Sequence, residues 1–134
     1  MESGFHATTA GIRVAVRVFY LEDRSNPDRG EFVWAYRVTI SNGSTVAVQL
    51  LKRTWVITDA HGRVQHVHGQ GVIGEQPILE PGESFEYTSG TPLATASGFM
   101  TGQYHMIRTA SGEPFDVAIP TFSLDSPHQN TRLH

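Results

Sequence analysis

Along most of this chain, apolar and polar residues alternate with a period of two. In Ile12-Arg13-Val14-Ala15-Val16-Arg17-Val18 the β-branched residues take every second position, with Arg13 and Arg17 between them. This is the pattern of a strand with one face in a core and the other in solvent. Phe32, Trp34, Tyr36, Val38 and Ile40 repeat it, opposed by Arg37 and Thr39. Segments 46–51, 55–58, 63–67, 85–88, 103–108 and 114–119 are also rich in β-branched and aromatic residues and read as strands. No stretch carries the 3.6-residue period of an amphipathic helix.

Turn chemistry separates the runs. Asn42-Gly43 is a hairpin signal, Asp59-Ala60-His61-Gly62 a short turn, and Thr109-Ala110-Ser111-Gly112 a late hairpin. Pro81-Gly82 suits the centre of a type II turn, where glycine takes positive φ. About eight strands at this spacing predict an all-β fold, an antiparallel β-sandwich or barrel. Trp34 and Tyr36 share one strand face, and Trp55 alternates with Ile57, so both tryptophans are expected in the core. The domain is expected over residues 12–124. Residues 1–11 and 125–134, polar and poor in apolar side chains, are expected to be flexible ends. Loops 21–30, 69–79 and 90–98 are long enough to carry function.

Composition narrows the function. The chain has 134 residues, 39% of them hydrophobic, enough to build a core without a staple. It has no cysteine, so a disulfide framework, a thiolate metal site and a cysteine nucleophile are excluded. Only 17% of residues are charged and the net charge is −3, which gives no electrostatic reason to expect a nucleic-acid partner. No apolar run approaches the ~20 residues that span a bilayer, and no signal-peptide pattern opens the chain. The expectation is a cytoplasmic protein without membrane insertion.

The sharpest motif is Gly69-Gln70-Gly71-Val72-Ile73-Gly74, a G-x-G-x-x-G. In a dinucleotide fold this motif lies between a strand and a helix whose N-terminus attracts the pyrophosphate. Here Glu75-Gln76-Pro77 follows and no crossover helix is present. Two readings stay open: the glycines supply positive φ in a tight loop, or the loop exposes successive N–H groups as an anion-binding nest. His66 and His68 stand two apart on one strand face, where both imidazoles could reach one metal, with His105 and His61 as further ligands if the fold brings them close. Two histidines alone form an incomplete site, so no resident cofactor is expected beyond a weakly held divalent cation. Glu75, Glu80, Glu83 and Glu86 sit around turns and on an outward strand face, as solvated carboxylates do. No G-x-S-x-G elbow is present and no enzyme is expected.

The run Val48-Gln49-Leu50-Leu51-Lys52-Arg53-Thr54-Trp55-Val56-Ile57-Thr58-Asp59 resembles the VQL-x-x-R-x-W-x-I-x-D segment of the ApaG family. Val67-His68-Gly69-Gln70-Gly71-Val72-Ile73-Gly74-Glu75-Gln76-Pro77 is similar to that family's V-x-G-x-G-V-V-G-x-Q-P. Pro81-Gly82, Tyr87-Thr88-Ser89-Gly90, Gly98-Phe99-Met100-Thr101-Gly102-Gln103-Tyr104 and Ile119-Pro120-Thr121-Phe122 extend the resemblance over residues 12–124. It implies a fibronectin type III or immunoglobulin-like sandwich and a protein-interaction module with no established catalytic activity. In bacteria it is associated with cobalt resistance and magnesium efflux. It also carries a pyrophosphate-binding suggestion over to Gly69, Gly71 and Gly74, with Ile73 in place of a valine. The pattern does not demand histidine at His66 or His68. The expectation is therefore a binding module that acts on Co2+ and Mg2+ homeostasis indirectly, through a protein partner. The alternative is a sensor of a nucleotide or another phosphate-containing small molecule.

Overall fold

Alternation in the sequence becomes two layers in space. The computed structural model describes residues 3–129. It has nine strands: β1 (Ser3–Thr9), β2 (Ile12–Tyr20), β3 (Phe32–Asn42), β4 (Val48–Asp59), β5 (Val64–Gln70), β6 (Ile78–Leu79), β7 (Ser84–Leu93), β8 (Gly98–Arg108) and β9 (Pro114–Leu124). One sheet has the order β1-β2-β3-β7. The other runs β5-β4-β8-β9, with the short β6 added to the end of β4. Every pairing is antiparallel, and the two sheets form a β-sandwich. Helical geometry among the described residues is limited to two 3-10 turns, Glu22–Arg24 and Pro27–Arg29. No helix there is long and apolar enough to cross a membrane.

The buried alternates of the sequence meet between the sheets. Ile12, Val14, Val16 and Val18 of β2 face inward with Trp34, Tyr36, Val38 and Ile40 of β3. The opposing sheet contributes Leu50, Trp55, Met100, Tyr104, Val117 and Phe122. At the centre the Trp55 ring stands 5.4 Å from Tyr36 and 5.9 Å from Phe122, both in edge-on geometry, an arrangement aromatic quadrupoles favour. Trp34 donates its indole N–H to the Asp125 carbonyl at 2.8 Å, so its one polar atom is satisfied in the core.

The sheets are also joined by two phenols. Tyr87 of β7 and Tyr104 of β8 share a hydroxyl hydrogen bond of 2.5 Å across the core. Burial pushes both pKa values well above the usual tyrosine range, and burial also raises that of Tyr36. A group whose folded pKa is raised gives stability that is present below its unfolded pKa and lost as pH rises beyond it. Unfolding free energy should therefore fall above about pH 10. In a spectrophotometric titration, Tyr36, Tyr87 and Tyr104, three of the four tyrosines, should form phenolate only as the chain unfolds. A smooth titration of all four near pH 10 in a folded protein would contradict this.

The structure redraws several boundaries. The amino-terminal segment expected to be a flexible end contains β1, which pairs with β2 along its full length, Ser3 opposite Val18 through Thr9 opposite Ile12. Main-chain ladder bonds hold this segment, and Phe5 packs against the core with its ring 6.1 Å from Phe122. The described part of the carboxy-terminal segment is also packed. Ser126 is buried and donates to the Ala96 carbonyl, while the His128 ring lies 5.8 Å from Tyr20 and hydrogen-bonds Glu22. Polar anchors hold this end, and an apolar pattern does not reveal them. Residues 1–2 and 130–134 of the expected ends lie outside the described residues.

Segments 46–51 and 55–58 are largely one strand, β4, kinked where its register against β8 shifts between Leu50 and Lys52. Asn42-Gly43 does not close a two-residue hairpin, because β3 and β4 lie in different sheets. Instead the buried Asn42 side chain donates to the Val46 and Leu79 carbonyls at 2.8 and 2.9 Å and turns the chain from one layer to the other. The turns at Asp59–Gly62, Pro81-Gly82 and Thr109–Gly112 are where their residues predict, each with a glycine at positive φ.

Candidate functional site

The G-x-G-x-x-G segment begins in the last two residues of β5 and wraps around the bulged part of β4. Each glycine has a distinct physical reason. Gly69 pairs with Arg53 across the β4–β5 ladder, and a Cβ there would lie 2.6 Å from the Arg53 guanidinium. That empty space seats the guanidinium, which donates from Nη1 to the Gln70 and Gly71 carbonyls at 3.1 and 2.7 Å. Gly71 has φ +62, and a Cβ would come within 2.2 Å of the Glu75 carbonyl oxygen. Gly74, at φ +81, is the second central residue of a tight turn closed by Val72 N–H to Glu75 O and Glu75 N–H to Val72 O, 2.8 and 2.9 Å.

The first central residue of that turn is Ile73, at φ +43. Positive φ at both central positions is type I′ geometry, normally built from Asn-Gly or Gly-Gly. A β-branched side chain in this region is a true outlier. Ile73 is also 57% exposed, so the core does not require it there.

The backbone donors of the loop are largely committed. Gly71 N–H bonds the Leu51 carbonyl at 2.7 Å, and the N–H groups of Val72 and Glu75 close the turn. The Gln76 side-chain amide donates to the same Leu51 carbonyl at 2.9 Å. These bonds tie the loop into a frame around Arg53.

Beside this frame, on the outer face of β4 and β8, lies an open pocket of about 410 Å3 lined by Lys52, Thr54, His68, Gln70 and His105. His105 Nδ1 is 2.7 Å from Asp116 Oδ1, and its Nε2 is 2.8 Å from Thr54 Oγ1. The carboxylate only accepts, so Nδ1 carries a proton toward Asp116, while Nε2 and the Thr54 hydroxyl share a hydrogen bond. His68 Nδ1 is 3.3 Å from the same hydroxyl. The structure therefore brings His68 and His105 to one threonine. It leaves exposed His66 opposite Val56 and His61 in the β4–β5 turn. Among the described residues, no three His, Asp or Glu side chains form a group that would hold a metal ion.

The four glutamates Glu75, Glu80, Glu83 and Glu86 take part in local contacts. Glu83 caps the Glu80 N–H at 2.8 Å, Glu86 accepts from Thr39 at 3.1 Å, and Glu75 frames the type I′ turn through its backbone. No sequence motif marks Thr54, Asp116 or Arg53 as part of a site. They meet only through strand register, although Arg53 does stand in the matched segment of β4.

A family model described as the ApaG domain matches residues 22–108. Protein ApaG of Paramagnetospirillum magneticum is 58% identical over 130 residues, covering 97% of this chain and 99% of that protein. Protein ApaG of Rhodospirillum centenum is 59% identical over 128 residues, covering 96% and 98%. In three dimensions, the crystal structure of a Bordetella pertussis protein described as ApaA superposes with a TM-score of 0.83 at 44% identity, over 92% of this chain and 97% of that one. The C-terminal domain of Wzt, at 9% identity and a TM-score of 0.53, shares the fold alone.

Proposed function

The chain belongs to the ApaG family, and from that premise we propose that it is a non-enzymatic interaction module. In this reading it works in the cytoplasm without a cofactor and affects Co2+ and Mg2+ homeostasis indirectly, by engaging a protein partner. The observation that carries the reading is Ile73, an exposed apolar side chain held at φ +43 on the tip of a rigid turn. Such strain costs about 1–3 kcal/mol and persists where the surroundings enforce it, often at binding sites. The frame around Arg53 enforces it here, and the projecting Ile73 is the contact the turn offers.

Ile73→Asn tests the reading. Asparagine tolerates the left-handed region, so the variant should melt at or above the wild type, with a gain of about 1 kcal/mol. In a bacterial strain lacking the gene, wild type should restore cobalt tolerance and Ile73→Asn should not. Full restoration by a folded Ile73→Asn protein would overturn the reading.

The second reading, a sensor of a nucleotide or pyrophosphate through Gly69, Gly71 and Gly74, draws less support from the loop. Its N–H groups at Gly71, Val72 and Glu75 already serve the turn and its frame. What favours a phosphate-bearing ligand is a cationic surface on the other sheet.

A further inference from the structure

The outer face of the four-stranded sheet holds a trough of about 550 Å3. Its floor is Ala15, whose small side chain leaves a depression on an otherwise long-chained surface. Strand register sets the walls. His6 of β1 and Thr39 of β3 flank Ala15, Arg13 and Arg17 stand two residues either way along β2, and Arg37 lies directly opposite Arg17. Among the described residues, the one carboxylate lining the trough is Glu86, engaged by Thr39 at 3.1 Å.

This is a concentration of positive charge on a chain whose net charge is −3. Like charges placed directly opposite on neighbouring strands destabilise a sheet, and Arg17 and Arg37 are such a pair. Arg17 has an interaction of its own besides, so the charge open to a ligand is that of Arg13 and Arg37. Neither is paired with a carboxylate among the described residues. The Arg37 guanidinium lies over the Phe19 ring at 5.4 Å, a cation–π contact.

We propose that the trough over Ala15 binds the phosphate group of a small phosphorylated ligand, gripped by Arg13 and Arg37 from two sides with His6 at its edge. A carboxylate has two oxygens, which one guanidinium fork occupies; a terminal phosphate has three and accepts forks from more than one direction. The volume exceeds what one phosphate fills and leaves room for the group that bears it. The site takes its ligand class from the sensing reading but not its location, since the glycine loop lies on the other sheet.

Calorimetric titration of the full chain with pyrophosphate, ATP and inorganic phosphate at low ionic strength tests the assignment. Wild type should bind pyrophosphate or ATP one to one, and the double variant Arg13→Ala/Arg37→Ala should bind about tenfold or more weakly. Ala15→Leu, which fills the floor from the solvent side, should abolish binding with an unchanged melting temperature. Arg24→Ala/Arg29→Ala removes the same charge elsewhere and should bind as wild type. Equal weakening in the Arg24/Arg29 control, or unchanged binding in the trough variants, overturns the trough. Binding that survives those variants but disappears in Gly74→Ala places the ligand at the glycine loop, sinking the trough while sparing the sensing reading. Absence of binding to wild type sinks both.

Discussion

Gly71→Ala lowers the unfolding free energy by about 3–4 kcal/mol, near the upper range for a single substitution. Two costs combine. At φ +62 an L side chain is strained by about 1–2 kcal/mol. The new Cβ would also sit 2.2 Å from the Glu75 carbonyl oxygen and 2.9 Å from its carbon, and both are backbone atoms that close the turn. Relief requires breaking the Val72–Glu75 bonds, which in turn loosens the carbonyls that hold Arg53. Gly74→Ala is the internal comparison. Its φ is +81, but nothing lies within 4 Å of the added Cβ, so only conformational strain remains, about 1 kcal/mol. Melting temperatures of the two variants check this, with Gly71→Ala expected to fall at least twice as far. Equal shifts would mean that the turn yields and the clash costs little.

Trp55→Ala is the second large effect, expected at about 3–5 kcal/mol. The indole is 3% exposed, lies across the ladders from Val67 and Gly102, and meets Tyr36 and Phe122 edge-on. Truncation forfeits both ring contacts and leaves a cavity between two sheets whose ladders resist collapse. Trp55→Phe keeps an aromatic partner and should cost less than half as much. Chemical denaturation with fluorescence from the remaining Trp34 would measure both. Unchanged stability in Trp55→Ala would place the indole outside the core.

Much of this molecule was legible in its alternation. The inward faces of β2 and β3 are the apolar alternates of Ile12–Val18 and Phe32–Ile40, and Trp55 is buried on the face it shares with Ile57, because a period-two pattern assigns each side chain to one side of a pleated sheet. The turns at Asp59–Gly62 and Pro81-Gly82 were equally local, since a glycine at positive φ is decided within a few residues. The three glycines of the G-x-G-x-x-G motif stood out as well, but their reasons did not. Gly69 is small because Arg53, on the neighbouring strand, needs its space, and Gly71 is small because the chain returns at Glu75.

What tertiary structure alone decided is whatever depends on which strands become neighbours. Alternation says that Arg13, Arg17 and Arg37 face solvent. Only the β1-β2-β3-β7 order and its register gather them with His6 around Ala15. In the same way, only the β5-β4-β8-β9 order brings Thr54, His68, His105 and Asp116 into one hydrogen-bonded chain. The amino-terminal strand is held by backbone ladder bonds and by Phe5 packed on Phe122, and a single inward aromatic among polar neighbours is too short a pattern to mark a strand. A sequence specifies the face of each residue through local geometry, whereas the pairing of strands far apart in the chain is set by the collective packing of the core.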